Sequence, residues 1–389
     1  MYNQKELEKD LEANCGRPYQ QCSISVMDTI ADPNITFDEK GICNYYYDYL
    51  KSEKKYLLKG DEGRKKLEEQ FSKIKEESKN NKYDCILGLS GGVDSTYLCL
   101  LAKNHGLNPL VVHFDNGWNS ELAQSNIENT LKILDLDLHT NVVNWEEFKS
   151  LQLSYLNASV VDIEVLTDHA FMSVLYEQAR KWGIKYILAG MNIVTEAILP
   201  NHWIYDKRDD KNIKDIYKKY RKPNHPNLKS YPFMSYRKKR FIEKSLKTEV
   251  VTPLNWIHFD YETLKSEIKD KLKWRDYGGK HYESTWTRFY QGYILPNKFN
   301  IDKRKAHLSN LIFSKQIDKA QALKILSEPI IPEKFLKPDY ELVLKKLNIT
   351  EDEFTDVMKL KRREHKDFNF SIGLREKYLS KIFPSSKQK

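Results

Sequence analysis

No stretch of this chain is apolar for long enough to cross a bilayer, which takes about 20 consecutive nonpolar residues. The opening Met-Tyr-Asn-Gln-Lys-Glu contains no apolar signal core. With 40% hydrophobic residues and a mean hydropathy of -0.67, the expectation is a soluble, cytoplasmic, globular protein with no membrane partner. Cysteine is sparse: Cys15, Cys22, Cys43, Cys85 and Cys99 are the five present. An odd number without an export signal argues against a disulfide framework. Cys85 in an apolar run and Cys99 on the helix pattern after it read as small buried hydrophobes. Glycine is also sparse, at 15 residues, and neither internal repeats nor low-complexity tracts occur. Charge is not overwhelmingly of one sign: 64 Lys and Arg stand against 55 Asp and Glu, a formal net charge of +9. The basic concentrations at Lys218 to Lys222, Arg237 to Arg240 and Lys359 to Lys366 read as solvated faces, so nucleic acid is not an expected partner.

Against this background one segment carries chemistry. Ser90-Gly91-Gly92-Val93-Asp94-Ser95 follows the apolar run Cys85-Ile86-Leu87-Gly88-Leu89 and precedes a helical pattern from Thr96 to His105. A strand feeding a helix through a two-glycine turn leaves backbone N–H groups pointing at one spot, with the positive end of the helix dipole behind them. Ser90, Ser95 and Thr96 add hydroxyl donors. The loop is aimed at phosphate, yet it has neither the lysine of a P-loop NTPase nor the Gly-x-Gly-x-x-Gly of a dinucleotide fold.

Residues 389 long leave room for two or three domains. Residues 1–55 form a cysteine-bearing segment, and 56–82, rich in Lys and Glu with Leu57, Leu67, Phe71 and Ile74 at helical spacing, read as a linker helix. From residue 83 to about 200 strand and helix patterns alternate: strands at 108–114, 139–143 and 185–189, helices at 121–134 and 167–182. That alternation predicts an α/β fold, a parallel sheet covered by helices on both faces, with ligands beyond the carboxyl ends of the strands. Two further strand ends are rich in polar residues: Asp115-Asn116-Gly117, for which a simple turn is the alternative, and Gly190-Met191-Asn192 with Thr195 and Glu196, the last also readable as a helix-start carboxylate. Beyond 201 the chain reads as mainly helical. Its densest patch, Asp276 to Arg288, sets Lys280, His281, Glu283 and Arg288 among aromatic residues behind Gly278-Gly279, a composition suited to a phosphorylated or sugar ligand.

Ser-Gly-Gly-Val-Asp-Ser resembles the pyrophosphate loop of the ATP pyrophosphatases, the superfamily of asparagine, GMP and NAD synthetases and of tRNA-thiolating enzymes. Taken with Cys22 through Asn44, His113 to Trp118, Thr167-Asp168-His169, Gly190 to Glu196 and Tyr277 to Ser284, the chain resembles the N-acetyl sugar amidotransferases of surface-polysaccharide biosynthesis. Members of that family typically open with two Cys-x-x-Cys pairs for zinc. Here Ser25 follows Cys22 and Tyr46 follows Cys43 at those spacings, so Cys22 and Cys43 are residual positions and no structural zinc is expected.

The resemblance implies ATP and Mg²⁺ as cofactors and conversion of a sugar acetamido group to acetamidino through an O-adenylyl imidate, with AMP and pyrophosphate as products. It implies ATP contacts from Ser90, Gly91, Gly92, Val93, Asp94, Ser95, Asp115, Gly190, Thr195 and Glu196. Ser90, Asp94 and Asp168 are the catalytic candidates, Asp94 nearest to Mg²⁺ and Asp168 toward metal or amide. Lys280, His281, Glu283 and Arg288 would hold the sugar nucleotide. No cysteine sits in a glutaminase motif, so ammonia is expected from a separate glutaminase, and the resemblance implies that it comes as a glutaminase and cyclase-like pair. Two other readings stay open: a tRNA-modifying ATP pyrophosphatase, and a nucleotide-binding scaffold without turnover.

Overall fold

The computed structural model describes residues 17–371. Five strands form one parallel sheet: β1 (Cys85–Gly88), β2 (Pro109–Asp115), β3 (Leu138–Val142), β4 (Tyr186–Leu188) and β5 (Glu249–Val251), in the order β3-β2-β1-β4-β5. The α/β expectation is met, with one difference in its extent. The sheet does not end with the alternating region, since β5 comes from the segment read as helical and pairs in register with β4. Three residues directly after the helix Tyr236–Leu246 leave too short a pattern to read from sequence.

Side-chain alternation explains why the sheet is covered on both faces. Cys85, Leu87 and Val111 point into a layer with Leu67, Phe71, Ile74 and Leu98, while Ile86, Leu110, Val112 and Phe114 point into another with Phe148, Leu151, Ala170 and Val174. The first layer is supplied by α2 (Gly60–Ser78), α3 (Val93–Asn104) and α4 (Glu121–Leu134), the second by α5 (Trp145–Asn157) and α6 (Val165–Trp182). Read as a linker, the 56–82 stretch instead breaks between α1 (Asn44–Tyr56) and α2, and the apolar stripe of α2 is buried against the sheet. Gly88 allows α6 to approach: a Cβ there would lie 2.2 Å from the Phe171 ring.

The N-terminal segment is anchored to the C-terminal region. The Ser309 hydroxyl accepts from the Val26 N–H at 3.3 Å, Lys305 pairs with the buried Asp28, and the Lys319 ammonium donates to the Cys22 carbonyl at 2.7 Å. Cys22 and Cys43 meet inside it. The Cys43 N–H donates to Cys22 Sγ at 3.3 Å, and Ser25 Oγ, standing where a third thiolate would be, lies 3.9 Å from Cys43 Sγ. Cys15 lies outside the described residues.

Candidate active site

The sheet order reverses direction between β1 and β4: from β1 the chain crosses to β2 and β3 on one side, then returns to β4 and β5 on the other. In an open α/β sheet such a switch point opens a crevice outside the carboxyl ends of the strands. The loop 90–95 follows β1 and residues 190–196 follow β4, so both line that crevice.

The loop is held by its own hydroxyls. Ser90 Oγ accepts from the Gly92 N–H at 3.2 Å, Ser95 Oγ accepts from the Ser90 N–H at 3.3 Å and donates to the Gly92 carbonyl at 3.2 Å. Gly92 begins α3 with no side-chain cap, which leaves the first-turn N–H groups for a ligand. Gly91 has φ of +81°, and a Cβ there would sit 2.7 Å from the Ala123 carbonyl oxygen, so both its conformation and its surroundings require glycine. His113 braces the loop from β2. Its Nδ1 lies 2.8 Å from the Leu89 carbonyl and its Nε2 lies 2.9 Å from the Asn119 amide nitrogen, which assigns the proton to Nδ1.

Residues 276–288, far along the chain, close over this loop. The positions around Gly92 include Tyr277 Oη and Glu283 Oε1, 3.4 and 3.5 Å from where its Cβ would be. The Ser120 N–H donates to the Glu283 carbonyl at 2.9 Å, tying the block to the start of α4 as well. Lys280 reaches across to residues after β4, with Nζ 3.2 Å from Glu196 Oε1 and 3.5 Å from Thr195 Oγ1. His281 Nδ1 lies 3.7 Å from Glu283 Oε1. Three of the four residues assigned to the sugar thus border the phosphate loop. Arg288 is not with them: its guanidinium makes a two-pronged pair with Asp339 at 2.6 and 2.7 Å and stacks over Phe335. Substrate has no free guanidinium to bind there.

Acidic side chains gather in this crevice. Asp94 Oδ1 and Glu283 Oε2 are buried without a hydrogen-bond partner. Burial, with Glu196 and Glu283 opposing ionisation and Lys280 favouring it, pushes the Asp94 carboxyl up to about 7. Glu196 is the more exposed of the two, and its desolvation is outweighed by Lys280, then His281, which hold it below the usual carboxylate range. Gly190 sits against Asp94, with its Cβ position 3.6 Å from Asp94 Cβ.

The remaining sequence candidates have structural tasks. Asp115 Oδ1 accepts from the Gly117 N–H at 2.8 Å and so closes the turn that was the alternative reading of that segment. Thr195 is buried, its N–H and hydroxyl both donating to Asn192 Oδ1 at 2.9 and 3.0 Å. Asp168 pairs with Lys207, a lysine that sequence reasoning passes over because nothing adjacent marks it. Cys22, Cys43, Cys85 and Cys99 are all buried, which gives a thiolation reaction no accessible thiol among the described residues. Among those residues no group of three His, Cys, Asp or Glu side chains is placed to hold a metal, and no helix is long and apolar enough to cross a membrane.

Comparison with known proteins bears on the C-terminal region most directly. Residues 283–379 match the family model described as LPS biosynthesis protein WbpG-like, C-terminal domain. An uncharacterised protein of Methanocaldococcus jannaschii is 35% identical over 119 residues, which are 30% of this chain and 41% of that protein. The chain thus spans about two-fifths of the length of the curated relative it matches. Among solved structures, the NMN synthetase of Francisella tularensis aligns over 77% of this chain and 98% of its own at 14% identity and a TM-score of 0.30. The NH3-dependent NAD synthetase of Campylobacter jejuni aligns over 54% and 93% at 17% identity and a TM-score of 0.28. A predicted subunit of a tRNA methyltransferase from M. jannaschii aligns over 47% and 73% at 17% identity and a TM-score of 0.24. The fold rests on the sheet itself. The matched C-terminal domain begins at Glu283, the residue that closes over the phosphate loop, so the likeness to WbpG-like LPS biosynthesis proteins covers the part of the chain that borders this site.

Proposed function

We propose that this protein is an ATP-dependent amidotransferase of surface-glycan biosynthesis that converts the acetamido group of a nucleotide-linked sugar to acetamidino. The observation that carries the reading is the uncapped start of α3 at the sheet's switch point, overhung by the first residue of the domain that matches the WbpG-like model. An amide carbon is a poor electrophile, so its oxygen must be activated before nitrogen can displace it. In this reading the amide oxygen attacks the α-phosphorus of ATP, pyrophosphate leaves, and nitrogen then displaces AMP. The N–H groups of residues 91–95 and the hydroxyls of Ser90 and Ser95 stabilise charge on the departing pyrophosphate. Lys280 stands opposite the loop as a further cation.

The two unpartnered oxygens, of Asp94 and Glu283, fit a hard divalent cation, and these residues would hold Mg²⁺. When bound, Mg²⁺ supplies charge neutralisation on phosphate oxygens. The four described cysteines are buried, which supports an ammonia supply from a separate glutaminase and cyclase-like pair. The test is to incubate purified protein with ATP, MgCl₂, ammonium chloride and a panel of UDP- and CMP-linked N-acetyl sugars. AMP and pyrophosphate dependent on one sugar, with a product lighter by about one mass unit from replacement of oxygen by NH, are expected. ADP, or nucleotide turnover indifferent to the sugar, would remove the proposal.

A further inference from the structure

Glu164 is a carboxylate to which neither the sequence reading nor the family match gives a task. It occupies the N-cap position of α6. Crossover helices in a parallel sheet run against the strands, so this helix start lies at the same edge as the phosphate loop. Around it stand Asp162 and Asp168, Lys303 ahead of the helix Arg304–Phe313, and Thr287 of the helix Thr285–Phe289. The neighbours are mostly occupied: Asp162 Oδ2 accepts from the Tyr205 N–H at 3.0 Å, and Asp168 is paired with Lys207. The Glu164 carboxylate accepts only from the Thr287 hydroxyl, at 3.1 and 3.3 Å, and has no ion pair among the described residues.

Electrostatics and a shared segment connect this cluster to the phosphate loop. Lys207, besides pairing with Asp168, acts on Glu196, which Lys280 holds near Asp94. Thr287 belongs to the same segment as Glu283, whose buried Oε2 faces no protein partner. The same sheet edge thus presents the open first turn of α3 after β1 and, at the start of α6, a carboxylate with free acceptor capacity.

Resting on the amidotransferase reading, we infer that Glu164 is the catalytic base for the nitrogen step. Ammonia forms the C–N bond to the protonated imidate carbon, and the C–O bond to AMP breaks with its electron pair going to AMP. One N–H proton passes from the attached nitrogen to Glu164, leaving a protonated amidine. Burial, then repulsion from Asp168 and Asp162, pushes this carboxyl up to about 7, against the pull of Lys303 and the Thr287 hydrogen bond. A base poised there is ionised about half the time at neutral pH and strong enough to take the proton.

The test uses full-length protein, ammonium chloride and whichever UDP- or CMP-linked N-acetyl sugar supports wild-type pyrophosphate release. In single-turnover reactions with enzyme in excess of ATP, Glu164→Gln should release pyrophosphate at a rate within about 3-fold of wild type while amidine formation from ammonium falls roughly 10²-fold. Hydroxylamine, largely neutral at pH 7, should restore product formation, and the wild-type inflection near pH 7 should vanish. Glu164→Asp, which keeps a displaced carboxylate, should retain intermediate activity and guards against a folding defect. Equal losses in the single-turnover rates of pyrophosphate release and amidine formation, or undiminished amidine formation, would overturn the assignment. Absence of sugar-dependent pyrophosphate release in wild type would overturn the parent reading and this one with it.

Discussion

The Trp274 indole N–H donates to the Gly91 carbonyl oxygen at 2.9 Å, joining residues 183 positions apart. The bond is buried, and it ties the phosphate loop to the segment that leads into the block 276–288. In Trp274→Phe the carbonyl loses its partner while the ring remains, at a cost of about 1–3 kcal/mol for a buried acceptor left unsatisfied. The expected result is a KM for ATP raised several-fold with a smaller change in kcat, measured by ATP titration of pyrophosphate release. An unchanged KM would mean that the loop holds its shape without this tie.

Gly91 and Gly183 both have positive φ but differ in surroundings. Gly183, at the end of α6, has nothing within 4 Å of its Cβ position, whereas that of Gly91 meets the Ala123 carbonyl oxygen at 2.7 Å. Gly183→Ala should therefore cost only the left-handed backbone penalty, about 1–2 kcal/mol, and leave turnover intact. Gly91→Ala adds a clash with helix backbone and should abolish nucleotide binding, which isothermal titration with ATP would show directly.

Arg288 marks where sequence reasoning stops. The phosphate loop is legible because Gly91-Gly92 and the hydroxyls stand between a strand and a helix, all within one short segment. Lys280 and Glu283 are legible as a cluster, though not as a lid over the loop. Arg288 looks the same in sequence, but Asp339, 51 residues away, takes its charge, and a distant partner leaves no local trace. Helix α5 is hidden for another reason: Ser150, Gln152 and Ser154 are buried beside Phe148, Leu151 and Leu153, so no apolar stripe forms. For Arg288→Ala the expected effect is on folding, about 3–5 kcal/mol from stranding a buried Asp339, read by urea denaturation. The pair Arg288→Met with Asp339→Leu should recover most of it, an outcome that a substrate-binding arginine would not give.

Asp94 links pH to stability in the ligand-free protein. Its folded value, about 7, lies above the usual carboxylate value of 3.8. The folded state therefore binds the proton more tightly than the unfolded chain does. Stability from this group is full below the unfolded value and declines as pH rises through about 7. Asp94→Asn removes the decline, so its stability relative to wild type should rise between pH 5 and pH 8 by on the order of 1 kcal/mol or more. Denaturation midpoints at the two pH values measure it, and the same substitution should abolish pyrophosphate release. A pH-independent difference would place the proton elsewhere.

Ser90 distinguishes a loop that binds phosphate from one that is merely tight. Its hydroxyl accepts from Gly92 N–H and contacts Ser95 Oγ at 3.2 Å, yet the residue itself is exposed to the crevice. If these bonds served only the loop's shape, Ser90→Ala would lower the melting temperature and, once folded, leave the rate largely unchanged. If the hydroxyl turns toward the departing pyrophosphate, the loss appears in the chemical step instead, roughly 10²-fold in kcat, as for removal of one oxyanion donor. Single-turnover measurement of pyrophosphate release at saturating ATP separates the two. The open first turn of α3 favours the second outcome, because a helix start without a protein cap is stabilised by an anion that donors such as Ser90 can share.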